Sequence, residues 1–194
     1  MPNPVTQFRN SNTRLPVGPG GATQVISDTK WSQKILALGA APVSTDFFTS
    51  APNADRTIDN YDAGNQLVTS GKSFTIQGIT VNVISATLAD IDNIIQRGTV
   101  VLTAQGKEIG AFRVRNLCAA GGTYVAGAQV AAANTVGVTN GLSQTDMFRV
   151  SDLTIETNQS FKATLVLPSA VGITLTSATT VEIGLHGYEA RPAA

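Results

Sequence analysis

Apolar and polar residues alternate with a period of two through much of the chain after residue 67. This period is typical of β-strands that bury one face. The first run changes phase midway, from Phe74 and Ile76 to Ile79, Val81 and Val83. The change falls at Gln77-Gly78, so the pattern predicts a β-bulge there, with the glycine in a conformation that other residues avoid.

Further alternating runs predict four more strands and the turns between them. Residues 99–104 and 108–117 flank a turn at Gln105-Gly106-Lys107, and residues 148–155 and 161–167 flank a turn at 157–160. A last strand covers 180–188, with Val181, Ile183 and Leu185 facing inward and Glu182 and His186 facing outward.

Two segments instead show the spacing of short helices. In residues 28–39, Asp28 can cap the helix, Trp31, Ile35 and Leu38 share one face, and Gly39 can end it. The second begins with a capping-box-like Thr87 and Asp90, continues with an apolar stripe of Leu88, Ile91, Ile94 and Ile95, and ends at Gly98.

Six to eight short strands without a βαβ rhythm predict a mainly β protein. We expect an antiparallel β-sandwich, either a jelly roll or a related Greek-key sandwich, with one or two short helices. Residues 1–27 are rich in Pro, Asn, Thr and Gly, so we assign 1–60 to an extended N-terminal arm that carries the helix near 28–39. Residues 61–194 form the sandwich domain, in which the weakly apolar stretch 118–145 is expected to be a contact surface.

The composition indicates weak electrostatic repulsion between copies of the chain. Charged residues make up 13% of the 194 residues and the formal net charge is zero, which suits a protein packed against its own copies. The balance argues against nucleic acid as the main partner, although Arg9, Arg14, Lys30 and Lys34 leave open a contact of the arm with a genome or an acidic membrane. The N-terminus has no apolar signal core, so synthesis in a cytoplasm is expected.

The segment Gly71-Lys72-Ser73 matches the end of a phosphate-binding loop. That loop needs a glycine where this chain has Gln66, and it needs a helix to follow, whereas Ser73 opens a run of period two. We therefore interpret the segment as a turn that leads into the first core strand, with Lys72 in solvent.

The remaining chemical candidates do not combine into a site. The single histidine, His186, is expected on the surface. The single cysteine, Cys118, excludes a disulfide framework within the chain and is expected to be a small thiol that is buried or half-buried. The acidic loop of Asp55, Asp59, Asn60, Asp62 and Asn65 is expected to be a solvated turn, with Ca²⁺ binding left open. Aromatic residues for a sugar platform, Trp31, Tyr61, Tyr124 and Tyr188, are dispersed along the sequence. We predict no catalytic, cofactor-binding or metal-binding residue, and no enzyme.

The polar N-terminal arm, the strands rich in Thr, Val and Ala, the inserted helix and the closing strands LTIETNQSFKATLVL and TVEIGLHGYEAR resemble jelly-roll coat proteins of small icosahedral bacterial viruses. The resemblance covers roughly residues 67–191. It implies a capsid subunit of the virion whose partners are identical subunits and other virion proteins, with the arm tying neighbours together. Alternatives are a decoration, vertex or tail protein of a bacteriophage, or a monomeric β-sandwich module that binds carbohydrate.

Overall fold

The computed structural model describes residues 23–39, 44–53, 56–69, 71–117, 124–125, 148–168 and 173–192. Predictions for residues 1–22, for Asp55, for Cys118 and for nearly all of the 118–145 stretch lie outside these residues. No helix in the described ranges is long and apolar enough to cross a membrane.

The described chain is mainly β, as predicted. Its strands are β1 (Thr23–Leu36), β2 (Ser44–Phe47), β3 (Asp59–Asn60), β4 (Ser73–Ser85), β5 (Thr99–Ala104), β6 (Lys107–Arg113), β7 (Tyr124–Val125), β8 (Phe148–Glu156), β9 (Phe161–Val166) and β10 (Thr179–Pro192). The helices are α1 (Leu88–Arg97) and α2 (Val114–Leu117). The strand predicted over 108–117 thus ends at Arg113 and continues as α2.

The strands form two sheets. Sheet A has the order β3-β1-β10-β4, and both β8 and the short β7 pair with β4; sheet B has the order β2-β9-β5-β6. Every strand pairing is antiparallel except that of β4 with β7. One apolar core takes residues from both sheets, for example Ile183 of sheet A and Leu165 of sheet B. The arrangement is consistent with the expected β-sandwich.

The predicted bulge is confirmed. His186 of β10 pairs with Gly78 of β4 and Gly187 pairs with Ile76, so Gln77 has no partner and the phase of β4 changes there. The expected backbone conformation of Gly78 is wrong, because the described glycines with positive φ are Gly39, Gly71 and Gly106. The glycine that the bulge requires is Gly187, where an added Cβ would lie 1.8 Å from the Thr75 carbonyl oxygen.

Two other local predictions are confirmed. The turn between β5 and β6 has positive φ at both central residues, 50° at Gln105 and 73° at Gly106, which is the geometry that joins tight hairpins. Helix α1 buries Ile91, Ile94 and Ile95 and ends where the Gly98 N–H donates to the Ile94 carbonyl. Thr87 occupies the N-cap position but makes no capping bond through its side chain.

The helix predicted over 28–39 is wrong, because these residues belong mostly to β1. All fourteen residues of β1 pair with β10, from Thr23 opposite Pro192 to Leu36 opposite Thr179. Trp31 and Ile35 fit a period of two as well as a helical face, and a full-length partner strand outweighs a weak helical preference. The arm assigned to 1–60 is therefore also wrong over its second half, since β1, β2 and β3 lie in the two sheets.

Candidate functional site

The most unusual feature of the described residues is a cluster of charged side chains at one end of sheet A. The chain has 13 acidic and 13 basic residues, and three acidic and two basic ones meet there. They are Asp28 and Lys30 of β1, Asp62 and Lys72 before β4, and Glu189 of β10. The side chains of Lys30, Glu189 and Asp62 are only 3%, 4% and 8% exposed. Buried charges are expensive unless they are paired, so the geometry of the pairs matters.

Each ammonium of the cluster is shared among carboxylates. Lys30 Nζ lies 2.9 Å from Asp28 Oδ2, 2.9 Å from Glu189 Oε2 and 3.7 Å from Asp62 Oδ1. Lys72 Nζ lies 3.1 Å from Asp62 Oδ2 and 3.7 Å from Glu189 Oε1. The Phe74 ring lies beside Lys30, with its centroid 6.0 Å from Lys30 Nζ, and provides an apolar neighbour for the ammonium.

Two members of the cluster, Lys30 and Asp62, have pKa values displaced so as to favour their charged forms. Burial acts to lower the pKa of Lys30, but its hydrogen bonds to Asp28 and Glu189 outweigh burial and raise that pKa above 10.5. Burial acts to raise the pKa of Asp62, but the Thr69 N–H and the two lysines hold it below 3.8. The arrangement therefore provides a fixed ionic connection and not a proton donor for chemistry near neutral pH.

The cluster holds the segment 61–69 in place. This segment contacts both sheets at the same end of the molecule. Asp62 ties the segment to sheet A. On the other side the Tyr61 ring packs edge-on against Phe48, with centroids 5.2 Å apart, and the Phe161 N–H of sheet B donates to the Asn65 carbonyl at 2.7 Å. The segment and its ionic connection thus join the two sheets at one end.

Two expectations about this region change. Ser73 opens a strand, as predicted, and Gly71 adopts a positive φ in the preceding turn, but Lys72 is ion-paired and 30% exposed instead of free in solvent. Asp59 and Asn60 of the acidic loop are buried: Asp59 accepts a hydrogen bond from Ser32 Oγ at 2.7 Å, and Asn60 Nδ2 donates to the Thr29 carbonyl at 2.6 Å. Within the described ranges, no group of three or more His, Cys, Asp or Glu residues could hold a metal ion.

Asp90 forms a second buried polar site, on α1. Its carboxylate is 1% exposed and accepts hydrogen bonds from the backbone N–H and the hydroxyl of both Thr176 and Ser177, at 2.8–3.1 Å. Burial acts to raise the pKa of Asp90, but these bonds hold it below 3.8. The role expected from the sequence, capping its own helix, is wrong: Asp90 anchors the chain that leads into β10.

The outer face of sheet A carries His186 and two of the four aromatic residues that are dispersed along the sequence. His186 faces outward as predicted, with Nδ1 3.3 Å from Thr29 Oγ1 and Nε2 2.9 Å from Thr80 Oγ1. Partial burial lowers the pKa of His186 below 6.5, while Glu182 acts in the opposite direction. Strand alternation places Trp31 and Tyr188 on this same face.

Neither the protein-family models nor the curated proteins contain a match to this sequence. The features of the molecule that bear on its function are the strand order, the two buried polar sites and the outer surfaces. Of these features, the strand order gives the strongest guide, because it restricts the architecture to a small number of classes.

Proposed function

We propose that this chain is a virion structural protein, a capsid subunit built on a jelly roll. The observation that carries the proposal is the nested pairing of its strands. Without the two-residue strands β3 and β7, eight strands remain, and the first pairs with the eighth (β1–β10), the second with the seventh (β2–β9), the third with the sixth (β4–β8) and the fourth with the fifth (β5–β6). A long hairpin folded over on itself has this order, as a jelly roll does.

The buried charges agree with a role as a building block. Jelly rolls serve in viral capsids, in lectin domains and in cupins, so the fold class alone does not select among them. Here charged residues are few, and five of them pair with one another in the ionic cluster, three of them buried. Surfaces with few charges lose water at low cost when identical copies meet.

The proposed mechanism is assembly through repeated contacts between identical copies, without an enzymatic step. The copies associate by symmetric or quasi-symmetric interfaces, and residues 1–22 add contacts to neighbouring subunits or to other virion proteins. The protein is made in the host cytoplasm and ends in the virion. A decoration, vertex or tail protein of the same fold remains within this class.

One observation favours a second candidate, a monomeric module that binds carbohydrate. Trp31 and Tyr188 share the outer face of sheet A, and Tyr188 pairs with Ser27, four residues from Trp31 along β1. Four residues of strand span roughly 13 Å, a separation that two stacked sugar rings of one chain could bridge. The residues Thr29, Thr80 and His186 between them would supply hydrogen bonds.

Light scattering after size-exclusion chromatography, combined with negative-stain microscopy, separates the two candidates. Rings, shells or other large symmetric particles support the capsid proposal. A strict monomer at high protein concentration refutes it. A monomer that binds a polysaccharide column, and loses that binding on Trp31→Ala, supports the carbohydrate module instead.

A further inference from the structure

Three arginines lie together at one corner of the molecule, where α1 ends beside the end of β6. Arg97 is the last residue of α1, Arg113 is the last residue of β6, and Arg115 lies in α2. The Val114 N–H donates to the Gly98 carbonyl at 3.0 Å, which holds these chain ends side by side. From the spacing of paired and consecutive Cα atoms, the three arginine Cα atoms lie within about 13 Å of one another. We call this group the arginine corner.

Packing against the core directs the side chains of the arginine corner outward. On α2, Val114 and Leu117 are buried, so Arg115 faces away from the core. On β6, Phe112 packs against the core, and strand alternation places Arg113 on the opposite face. All three arginines are exposed. Their positive charge is therefore accessible from solvent.

The arginine corner has no neutralising partner among the described residues. Most other described basic side chains bond to a carboxylate, a hydroxyl or an amide, namely those of Lys30, Lys34, Arg56, Lys72, Lys162 and Arg191. The three guanidinium groups of the corner form no ion pair with any described carboxylate. Residues 118–145, which follow α2 in the sequence, contain no Asp or Glu that could supply one.

The fold accounts for the position of one of these arginines but not for all three. The helix dipole stabilises a cation in the last turn of a helix, which applies to Arg97 of α1. Arg113 belongs to a strand, and Arg115 lies in a helix of only four residues. Like charges held close together repel each other. A bound polyanion would relieve this repulsion, so the corner has the properties of an anion-binding surface.

We propose that the arginine corner binds the backbone phosphates of a nucleic acid. Guanidinium groups bind phosphate in a planar, bidentate geometry. A membrane fits the corner less well, because proteins that bind at a membrane surface also insert apolar side chains. The exposed large apolar side chains of the described residues lie elsewhere, at Ile35, Leu38 and Ile58 and, at the opposite end of α1, at Leu88.

This binding depends on charge and not on base sequence. The described aromatic residue nearest in sequence to the corner, Phe112, packs against the core and offers no platform for stacking bases. The affinity should therefore vary little with base sequence and fall steeply with salt. The inference rests on the proposed function, for which it identifies the enclosed nucleic acid as a partner of the folded domain.

Fluorescence anisotropy with a labelled oligothymidylate tests the proposal. Each phosphate contact with a single strand contributes about 0.7 to the slope of log affinity against log salt. Arg97→Gln/Arg113→Gln/Arg115→Gln should therefore reduce this slope by about 2, whatever residues 1–22 contribute. Between about 50 and 200 mM salt, the wild-type chain should lose about 20-fold more affinity than the triple variant.

The matched control removes three positive charges from other parts of the surface. Lys107→Gln/Lys162→Gln/Arg191→Gln has the same net charge as the first triple variant, and these residues lie on β6, β9 and β10. We expect the control to change the slope by less than about 0.7, which corresponds to one contact. Equal changes of slope in the two triple variants would overturn the proposal, as would a wild-type chain that does not bind the oligonucleotide at about 50 mM salt.

Other anions test whether nucleic acid is the partner. Vesicles containing phosphatidylserine, or a polyglutamate of the same charge as the oligonucleotide, should bind more weakly. Vesicles that bind as tightly as the oligonucleotide, with the same loss in the arginine variant, would refute nucleic acid in favour of a lipid surface. Equal binding of polyglutamate would refute it in favour of acidic proteins.

The outcomes also distinguish the arginine corner from the function on which it rests. Shells that form from the wild-type chain, together with equal oligonucleotide binding by the wild type and the arginine variant, refute the corner and leave the capsid proposal standing. A chain that binds the oligonucleotide through the corner but remains a strict monomer at high concentration supports the corner and refutes the capsid proposal.

Discussion

Removing Lys30 should destabilise the fold more than removing any surface lysine. Lys30→Met keeps an apolar stem of similar length beside Phe74 but deletes the charge that pairs with Asp28 and Glu189. Glu189 would then keep its carboxylate in a site only 4% exposed, with Lys72 at 3.7 Å as its nearest counter-charge.

The size of the effect follows from the burial of the partners. Deleting one member of a buried ion pair costs about 3–5 kcal/mol, because the other charge is left uncompensated. Asp28 is 26% exposed and Lys72 remains near Asp62 and Glu189, so we expect the lower end, about 3 kcal/mol. Lys162→Met is the matched control: its pair with Asp46 is equally short, 2.9 Å, but both side chains are more than 40% exposed, so the expected cost is at most about 1 kcal/mol.

Urea unfolding followed by circular dichroism measures both free energies of unfolding. Restoring neutrality with the double variant Lys30→Met/Glu189→Gln should recover about 1–2 kcal/mol of the loss, as expected for residues in direct contact. A loss below about 1 kcal/mol for Lys30→Met, or one equal to that of Lys162→Met, would refute the view that the cluster locks the segment 61–69.

The pH dependence gives an independent check of the same reasoning. The pKa of Asp62 lies below 3.8 in the folded chain, so its contribution to stability is complete above pH 3.8 and is lost as the pH falls through the folded value. The pKa of Lys30 is raised above 10.5, so its contribution is complete below pH 10.5 and is lost as the pH rises through the folded value. The difference between wild type and Lys30→Met should therefore change little around neutral pH, and a midpoint near pH 7 would contradict the assignment.

Three other outcomes are expected. Asp90→Ala should cost about 3 kcal/mol in urea unfolding because the backbone N–H groups of Thr176 and Ser177 lose their acceptor, and Asp90→Asn should cost less; equal losses would show that the charge and the remaining oxygen do not matter. Gly187→Ala should prevent soluble expression or lower the melting temperature severely, since its Cβ would lie 1.8 Å from a carbonyl oxygen, whereas Gly106→Ala, with open space but positive φ, should cost about 1 kcal/mol; similar melting temperatures would argue against the bulge geometry. Deleting residues 1–22 should leave the melting temperature unchanged, while deleting 1–27 also removes five β1 pairings with β10 and should lower it; equal melting temperatures would show that these pairings contribute nothing.

Several elements could be predicted because their signals are local. The bulge in β4 is visible as a change of phase over ten residues, and the β5–β6 turn as a Gln-Gly pair between two alternating runs. Helix α1 follows from an isoleucine stripe and a terminal glycine. Each of these three signals lies within about ten neighbouring residues. The sequence alone was therefore sufficient to predict the bulge, the turn and the helix.

The buried polar sites could not be predicted, because each needs a partner from a distant part of the chain. Lys30 and Glu189 are 159 positions apart, and Asp90 and Thr176 are 86 apart. A lysine, an aspartate or a glutamate with no visible partner is correctly expected in solvent. The partner exists only after the fold has brought the strands together.

By itself, the sequence determined the mainly β character of the chain, the positions of most of its strands and the low charge of its surface, since alternation and composition are properties of neighbouring residues. Only the tertiary structure decided that residues 23–36 form a strand, because the pattern there fits both periods and the fourteen pairings with β10 supply the difference. It also decided that Ile35 and Leu38 remain exposed. In a helix, Ile35 and Leu38 would share one face with Trp31 and could pack on the core. In the strand and the turn that follows it, both side chains are exposed at the end of sheet A.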